Sequence, residues 1–174
     1  MRALVTADPA LLRQQAASGE TPVLAALYHR AGEVACWLTG QEWPRTIFEA
    51  AAVDDALRVT ELCRADPTVC NAHAADGWTP LHLAAFFGAV RAARELLDRG
   101  ADPSPHSRNP MSNTPLHAAL AARRLPMVEL LLAAGANPTA VAADDLTPLA
   151  LATQSGFTDG ALAVQAALDA EDAR

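Results

Sequence analysis

A ten-residue pattern that recurs near every 33 residues constrains the fold of this chain more than any other feature. Thr79 opens the stretch TPLHLAAFFG, Thr114 opens TPLHAALAAR 35 residues later, and Thr147 opens TPLALATQSG after a further 33. A weaker copy, TPVLAALYHR, begins at Thr21. Self-similarity at this period is typical of proteins built from stacked supersecondary units. The sequence therefore predicts a linear stack of repeats, each dependent on its neighbours for burial.

Each unit has the marks of two short helices joined by a tight turn. Thr79 can cap a helix through its hydroxyl, and Pro80 suits the first helical position because its missing N–H costs nothing there. Gly88 can adopt the left-handed conformation that ends a helix. A second apolar face follows at helical spacing, carried by Val90, Ala93, Leu96 and Leu97. The pattern predicts helix, turn, helix, turn in every copy.

These residues resemble the ankyrin repeat family, and the resemblance covers most of the chain. It implies an all-α, ankyrin-repeat solenoid of about five helix–turn–helix units with hairpin-like finger loops. The predicted organisation is a single domain over 1–174, with a partial N-terminal capping repeat at 1–18, repeats at 19–43, 44–75, 76–108 and 109–142, and a C-terminal capping repeat at 143–174. All 13 basic residues are arginine, which we interpret as the composition bias of a bacterial source.

Several positions depart from the repeat pattern. The connection Gln41–Arg45 is about ten residues short against the family period, which predicts a helix-to-helix loop without a finger. The connection Pro103–Asn113 contains three prolines and predicts an irregular finger. Three residues that are not glycine stand where glycine closes the turn in the best copy: Arg30, Asp54 and Arg123.

The two ends of the chain are predicted to differ from the middle. Leu4–Pro9 matches Leu62–Pro67, which predicts the remnant of a second helix stacking on the next unit. The last helix is predicted over Thr158–Leu168, followed by a polar tail at Asp169–Arg174. Both features are typical of caps that close a repeat stack.

Charge and cysteine content limit the classes of partner. The net charge of −7 argues against nucleic acid or an anionic membrane as the main partner, because both require clustered positive charge. No signal peptide is visible, and no apolar run approaches the ~18 residues that span a bilayer. The three cysteines, Cys36, Cys63 and Cys70, fit no metal pattern and are expected to be reduced thiols. We expect a cytoplasmic monomer.

No motif for chemistry emerges from the sequence. His82 and His117 occupy equivalent places in successive repeats, so they lie about 10 Å apart if neighbouring units pack as helices do. The resemblance implies a structural role for them at the turn. The adjacent carboxylates Asp54-Asp55 and Asp144-Asp145 fall in turns, where such pairs cap a helix or face water. We predict no enzyme activity, no cofactor and no metal; a hydrolase or metal enzyme on a helical scaffold is the remote alternative.

The resemblance implies that function lies on the concave surface, made of finger tips and the ends of first helices. The predicted partner-binding residues are Tyr28, His29, Trp78, Phe86, Phe87 and Asn113. Aromatic residues are enriched among interface hot spots. Phe86 and Phe87 could instead pack in the core, and that alternative stays open here. The predicted function is a non-catalytic protein–protein interaction module or adaptor, with a regulatory or inhibitory subunit of a partner enzyme as the alternative.

Overall fold

The structure is a computed structural model, which describes residues 8–14, 16, 20–41 and 45–173. Within these ranges the chain is helical and contains no strand. The α-helices of the described residues follow one another as five pairs: α1 (Pro22–Tyr28) and α2 (Gly32–Thr39), α3 (Ile47–Ala52) and α4 (Ala56–Ala65), α5 (Pro80–Phe87) and α6 (Val90–Asp98), α7 (Pro115–Ala121) and α8 (Leu125–Ala133), α9 (Pro148–Gln154) and α10 (Thr158–Asp172). The predicted all-α solenoid is confirmed, while the exact repeat boundaries stay a prediction.

The pairs stack side by side to form a double row. First helices pack on first helices, since α3 contacts α5, α5 contacts α7 and α7 contacts α9. Second helices do the same from α4 through α6 and α8 to α10. Alanines such as Ala84, Ala85 and Ala119 are fully buried in the inner row. Their small side chains let neighbouring helices approach closely, which explains a core that is rich in alanine and poor in aromatic residues.

Threonine caps begin the first helices, as the repeated motif predicts. The hydroxyl of Thr79 accepts a hydrogen bond from the His82 amide at 3.4 Å, and Thr147 does the same for Ala150 at 3.2 Å. Pro80 and Pro148 occupy the first helical positions behind these caps. Each cap satisfies an N–H that has no partner inside its own helix, which fixes where the helix starts.

The turn positions that lack glycine nevertheless adopt the left-handed conformation. Backbone φ is 52° at Arg30, 59° at Asp54 and 56° at Arg123, against 78° at Gly88. This conformation costs a non-glycine residue roughly 1–2 kcal/mol. The equivalence predicted for these positions is therefore confirmed.

Two of these turn residues bond to the next unit along the stack. The Asp54 carboxylate accepts from the Ala92 amide and from Arg91 Nε, both at 2.8 Å. The Arg123 guanidinium donates to the carbonyls of Ser155 and Gly156, at 2.9 and 3.2 Å. These bonds offset the backbone cost and link successive units on the same edge.

The described part of the N-terminal fragment has the structure that its similarity to Leu62–Pro67 predicts. A 3₁₀ helix at Pro9–Arg13 corresponds to another at Pro67–Asn71, and an aspartate, Asp8 or Asp66, caps each one. Leu12 is 2% exposed and belongs to the small cluster that contains Val23 and Leu38, so the fragment stacks on the first helix pair. The predicted helical stretch Leu4–Ala7 lies outside the described residues.

At the C-terminus the predicted boundary between helix and tail is wrong. Helix α10 continues from Thr158 to Asp172 instead of ending at Leu168. No proline or glycine interrupts the segment after Leu168, and Gln165 donates to Asp169 one turn later at 2.8 Å. Pairs at this spacing stabilise a helix surface, so the polar residues extend the helix.

The two unusual connections are described to different extents. The centre of Gln41–Arg45 lies outside the described residues, so the prediction of a finger-free loop stays a prediction. Its described end is firmly held, because Arg45 pairs with the Asp55 carboxylate at 2.7 Å and also donates to the Thr39 carbonyl. The connection Pro103–Asn113 has no helix or strand, which confirms an irregular finger.

The expectation of three reduced cysteines needs correction. The sulfur atoms of Cys63 and Cys70 are joined as a disulfide, with the Cα atoms 6.0 Å apart. Cys63 lies on a core position of α4 as predicted, but the turn after that helix carries the chain back so that Cys70 faces it. The spacing of the cysteines in the sequence did not indicate that Cys63 and Cys70 lie close together. Cys36 is exposed and free.

Candidate partner-binding surface

Among residues 45–173, three fingers have the same backbone closure just before a first helix. The amide of Ala74 donates to the carbonyl of Trp78 at 2.8 Å. Equivalent bonds run from Ser107 to Asn113 at 2.8 Å and from Ala142 to Leu146 at 2.9 Å. The closing residue in each case precedes the capping threonine, so every finger is anchored at the start of a helix.

Neighbouring fingers are also bonded to one another. The Arg108 amide donates to the Gly77 carbonyl at 2.8 Å, and the Ala143 amide donates to the Met111 carbonyl at 2.9 Å. Gly77 has a φ of 84°, and a Cβ there would come within 2.7 Å of the Arg108 carbonyl carbon. The close approach therefore requires glycine. We call the three joined fingers, residues 74–78, 107–113 and 141–146, the finger wall.

Buried histidines fix the finger wall to the first helices. His82 Nε2 donates to the Asn113 carbonyl at 2.9 Å, and His117 Nε2 donates to the Leu146 carbonyl at 3.0 Å. The Nδ1 atom of His82 accepts from Thr79, 2.8 Å from its hydroxyl oxygen. Burial lowers the pKa of His82 to about 4 and also lowers the pKa of His117. Both rings are therefore neutral at pH 7 and complete a link between consecutive units.

Four of the six predicted binding residues form one aromatic cluster: Tyr28, Trp78, Phe86 and Phe87. Ring centroids lie 5.5 Å apart for Tyr28 and Phe87, 5.5 Å for Trp78 and Phe86, and 5.2 Å for Phe86 and Phe87. These separations and the tilted or edge-on arrangements are those that aromatic pairs prefer. The prediction that these residues gather on one side of the N-terminal half matches this arrangement.

The members of the aromatic cluster differ in exposure. Trp78 is 7% exposed and stacks on His82 with a centroid separation of 5.8 Å. Tyr28, Phe86 and Phe87 are half-buried and pack against the core. The two alternatives left open for the phenylalanines therefore both hold in part, because each residue packs against the core while part of its surface stays exposed.

Tyr28 crosses an entire unit to join this cluster. It belongs to α1, whereas Trp78, Phe86 and Phe87 belong to the third helix pair and its finger. The corresponding places in the intervening pair hold the smaller residues Ala52 and Val53, which leave room for the ring. The Tyr28 hydroxyl donates to Asp76 Oδ2 at 3.0 Å. Burial and then the charge of Asp76 raise the pKa of Tyr28.

His29 and Asn113, the other predicted residues, stand apart from the ring contacts. His29 is exposed just beyond α1. Asn113 is half-buried in the finger wall, where its side-chain oxygen accepts from the Ser107 hydroxyl at 2.8 Å. Its amide group therefore supports the finger, and its backbone carbonyl receives His82.

Sequence reasoning missed three residues on this side. Asp76 orients Tyr28, but only its place in an ordinary turn marked it in the sequence. Met111 and Val141 are 50% and 46% exposed on adjacent fingers. Finger tips carry no fixed residue type in the repeat pattern, so nothing in the motif identifies exposed apolar side chains there.

The described residues contain no group of three histidine, cysteine or acidic side chains placed to hold a metal ion. No helix in the described ranges is long and apolar enough to cross a membrane. A stack of helix pairs with a wall of bonded fingers defines the molecule as a helical repeat protein. A family model described as ankyrin repeats, in three copies, matches residues 47–142, more than half of the chain. The chain belongs to the ankyrin repeat family, whose repeats generally serve as non-catalytic protein–protein interaction modules.

Curated proteins show the same likeness over their repeats. The chain is 46% identical over 86 residues to neurogenic locus notch homolog protein 4 of Homo sapiens, covering 48% of this chain and 4% of that protein. It is 40% identical over 82 residues to serine/threonine-protein kinase VIK of Arabidopsis thaliana, covering 47% and 18%. It is 35% identical over 126 residues to ankyrin repeat, SAM and basic leucine zipper domain-containing protein 1 of Rhinolophus ferrumequinum, covering 70% and 26%. The chain thus spans about a quarter or less of the length of these relatives.

Proposed function

We propose that this chain is a non-catalytic module that binds a protein partner through its concave side, where the finger wall adjoins the aromatic cluster. The single observation that carries the proposal is the bonding of adjacent fingers through Gly77–Arg108 and Met111–Ala143. Because the fingers are bonded to one another and to buried histidines, their tips form a surface that is organised before binding. Preorganised surfaces lose less conformational entropy on association.

The contact residues we propose fall into two groups. Phe86 and Phe87 offer half-buried aromatic rings, while Met111 and Val141 offer exposed apolar side chains on neighbouring finger tips. Trp78 supports this surface from beneath, since it is buried against His82. Apolar and aromatic side chains surrounded by polar finger residues match the usual anatomy of a protein interface.

A capture experiment with matched surface variants tests the proposal. Wild-type protein, Val141→Arg and Leu57→Arg are immobilised and exposed to lysate of the source cells. Leu57 is 80% exposed on the outer helix α4, so arginine there changes charge and apolar area away from the finger wall. We expect a partner that the wild type and Leu57→Arg retain and Val141→Arg loses. A partner set that is the same for all three proteins, or that Leu57→Arg alone loses, contradicts binding at the finger wall.

A further inference from the structure

Two buried cysteines meet where helix α4 turns towards the first described finger. Cys63 lies in α4 and is 4% exposed, while Cys70 lies in the 3₁₀ helix Pro67–Asn71 and is 1% exposed. Their Cα atoms are 6.0 Å apart, within the range that disulfides span. Cys36, the remaining cysteine, is exposed and free, so it provides an internal comparison.

The chain between the paired cysteines lies at the surface. Residues 64–68 are all exposed, and the two cysteines are only seven positions apart. A short surface segment of this kind can open locally without unfolding the stack. Local opening gives a small thiol or disulfide reagent access to both sulfur atoms.

The same segment determines how the finger at residues 74–78 is held. Asn71, next to Cys70, donates to the Gly100 carbonyl at 3.2 Å and accepts from the Asp102 amide at 2.9 Å. These bonds attach the entry of the finger to the following unit. Beyond it lie Asp76, which receives the Tyr28 hydroxyl, and Trp78, which supports the aromatic cluster.

We propose that Cys63 and Cys70 are a reversible thiol–disulfide site that sets how firmly the finger at residues 74–78 is held on the stack. The disulfide fixes Cys70 to α4 and thereby restrains Asn71 and the finger that follows. Reduction removes that restraint and leaves the finger to its hydrogen bonds. The consequence for partner binding rests on the proposed function, whereas the chemistry and its effect on the finger do not.

The oxidising equivalents come from a low-molecular-weight disulfide such as oxidised glutathione. The thiolate of one cysteine attacks a sulfur of that disulfide, forms a mixed disulfide and releases one glutathione thiolate. The second cysteine thiolate then attacks the protein sulfur of the mixed disulfide and releases a second glutathione thiolate. Two protein thiols become one protein disulfide, and one glutathione disulfide becomes two thiols.

The test compares two redox states of a single protein carrying Cys36→Ser, which removes the exposed thiol. One sample is reduced with dithiothreitol and the other is equilibrated with oxidised glutathione. Both are then alkylated, and their masses are measured by mass spectrometry. We expect two alkyl groups on the reduced sample and none, with no bound glutathione, on the oxidised one. We also expect the oxidised sample to melt roughly 5–10 °C higher, because the cross-link restricts the unfolded chain.

Hydrogen exchange then shows whether the finger is affected. Oxidation is expected to slow exchange of the amides in residues 71–78 and to leave those in residues 118–132 unchanged. A Cys36→Ser/Cys63→Ala control is expected to show no redox difference in these amides. Glutathione bound separately to the cysteines, equal melting temperatures of the two states, or unchanged exchange at residues 71–78 would each overturn the proposal. None of these measurements uses the partner, so their failure is distinct from a failure of the proposed function.

Discussion

The hydroxyl of Tyr28 donates a hydrogen bond to the carboxylate of Asp76, 48 residues further along the chain, at 3.0 Å. This contact joins the first helix pair to the finger before the third and passes over the alanine-rich helix between them. The stack is therefore held by more than contacts between adjacent units. Stability of the N-terminal pair depends on a residue that a purely nearest-neighbour description of repeats does not include.

Removing the Tyr28 hydroxyl tests this long contact. Tyr28→Phe keeps the ring among Trp78, Phe86 and Phe87 but removes the donor to Asp76 Oδ2, so we expect a loss of roughly 0.5–2 kcal/mol in unfolding free energy. The controls are Asp76→Ala and the double variant Tyr28→Phe/Asp76→Ala. Because the double variant removes both partners, its loss of stability is expected to be smaller than the sum of the two single losses. Urea unfolding monitored by circular dichroism gives the values. Strictly additive single and double losses would show that the two residues do not interact.

Acid sensitivity follows from the buried histidine. Burial lowers the pKa of folded His82 to about 4, below its unfolded value near 6.5, so the unfolded chain binds more protons between these values. Stability is fully present above about pH 6.5 and falls as pH drops towards 4, by roughly 2 kcal/mol at pH 5 from this residue alone. The lowered pKa of His117 acts in the same direction.

Substitution of the histidine separates this effect from general acid unfolding. His82→Gln cannot titrate, so its stability should decline less steeply than that of the wild type from pH 6.5 to pH 4, although it starts lower. Urea midpoints at several pH values provide the comparison. Parallel pH profiles for the two proteins would show that His82 does not account for the acid sensitivity.

Glu49 occupies the position that His82 and His117 occupy in later units. It keeps their contact with the capping threonine but not their bond to a finger carbonyl. Its Oε2 accepts from the Thr46 amide at 2.9 Å, but its buried Oε1 has no hydrogen-bond partner among the described residues. In the later units the corresponding histidine atom donates to a finger carbonyl. An acceptor therefore stands where the repeat provides a donor.

Supplying that donor is expected to stabilise the protein. Glu49→Gln keeps the shape and the Thr46 contact while placing an NH₂ group at the unpaired oxygen, so we expect a gain of about 1 kcal/mol. Glu49→Ala removes both functions and should destabilise the helix start. Thermal melts of the three proteins decide the matter. A lower melting temperature for Glu49→Gln than for the wild type would show that a donor at this position does not stabilise the protein, which contradicts the prediction.

Truncating the phenylalanines measures how far they belong to the core. Because Phe86 and Phe87 are half-buried, each substitution to alanine should cost about 2 kcal/mol, less than the 3–5 kcal/mol of a fully buried phenylalanine. Leu83→Ala in the same helix is a core reference, since Leu83 is fully buried. Denaturant midpoints provide the test. A loss below 0.5 kcal/mol would place the rings on the surface, and a loss equal to that of Leu83→Ala would place them in the core.

The sequence predicted the fold well because its signals are local and repeated. Thr79, Pro80 and Gly88 each determine the backbone within one unit, and repetition of that unit fixes the stack. The positions of Tyr28, Phe86 and Phe87 were also predictable, since equivalent places in a stack lie on one side. Their spacing could not show how deeply each ring is buried, because burial depends on side chains from neighbouring units.

The features that escaped prediction depend on the three-dimensional path of the chain or on the absence of a residue that ends a helix. The bond from Tyr28 to Asp76 joins residues 48 positions apart, and the approach of Cys70 to Cys63 depends on the path of the turn between them. The extension of α10 beyond Leu168 reflects polar residues that favour a helix as readily as a tail. Exposure of Met111 and Val141 follows from finger geometry, which the repeated motif does not encode.

The most direct test of binding at the finger wall is the affinity of the captured partner for matched variants, measured by isothermal titration calorimetry. Val141→Arg places a charge on an exposed finger tip, and Leu57→Arg makes the same change on the outer helix α4. We predict at least a tenfold weaker affinity for Val141→Arg, about 1.4 kcal/mol, with Leu57→Arg unchanged from wild type. Equal affinities for wild type and Val141→Arg would contradict binding at the finger wall, and a loss for Leu57→Arg alone would in addition place the partner on the outer helices.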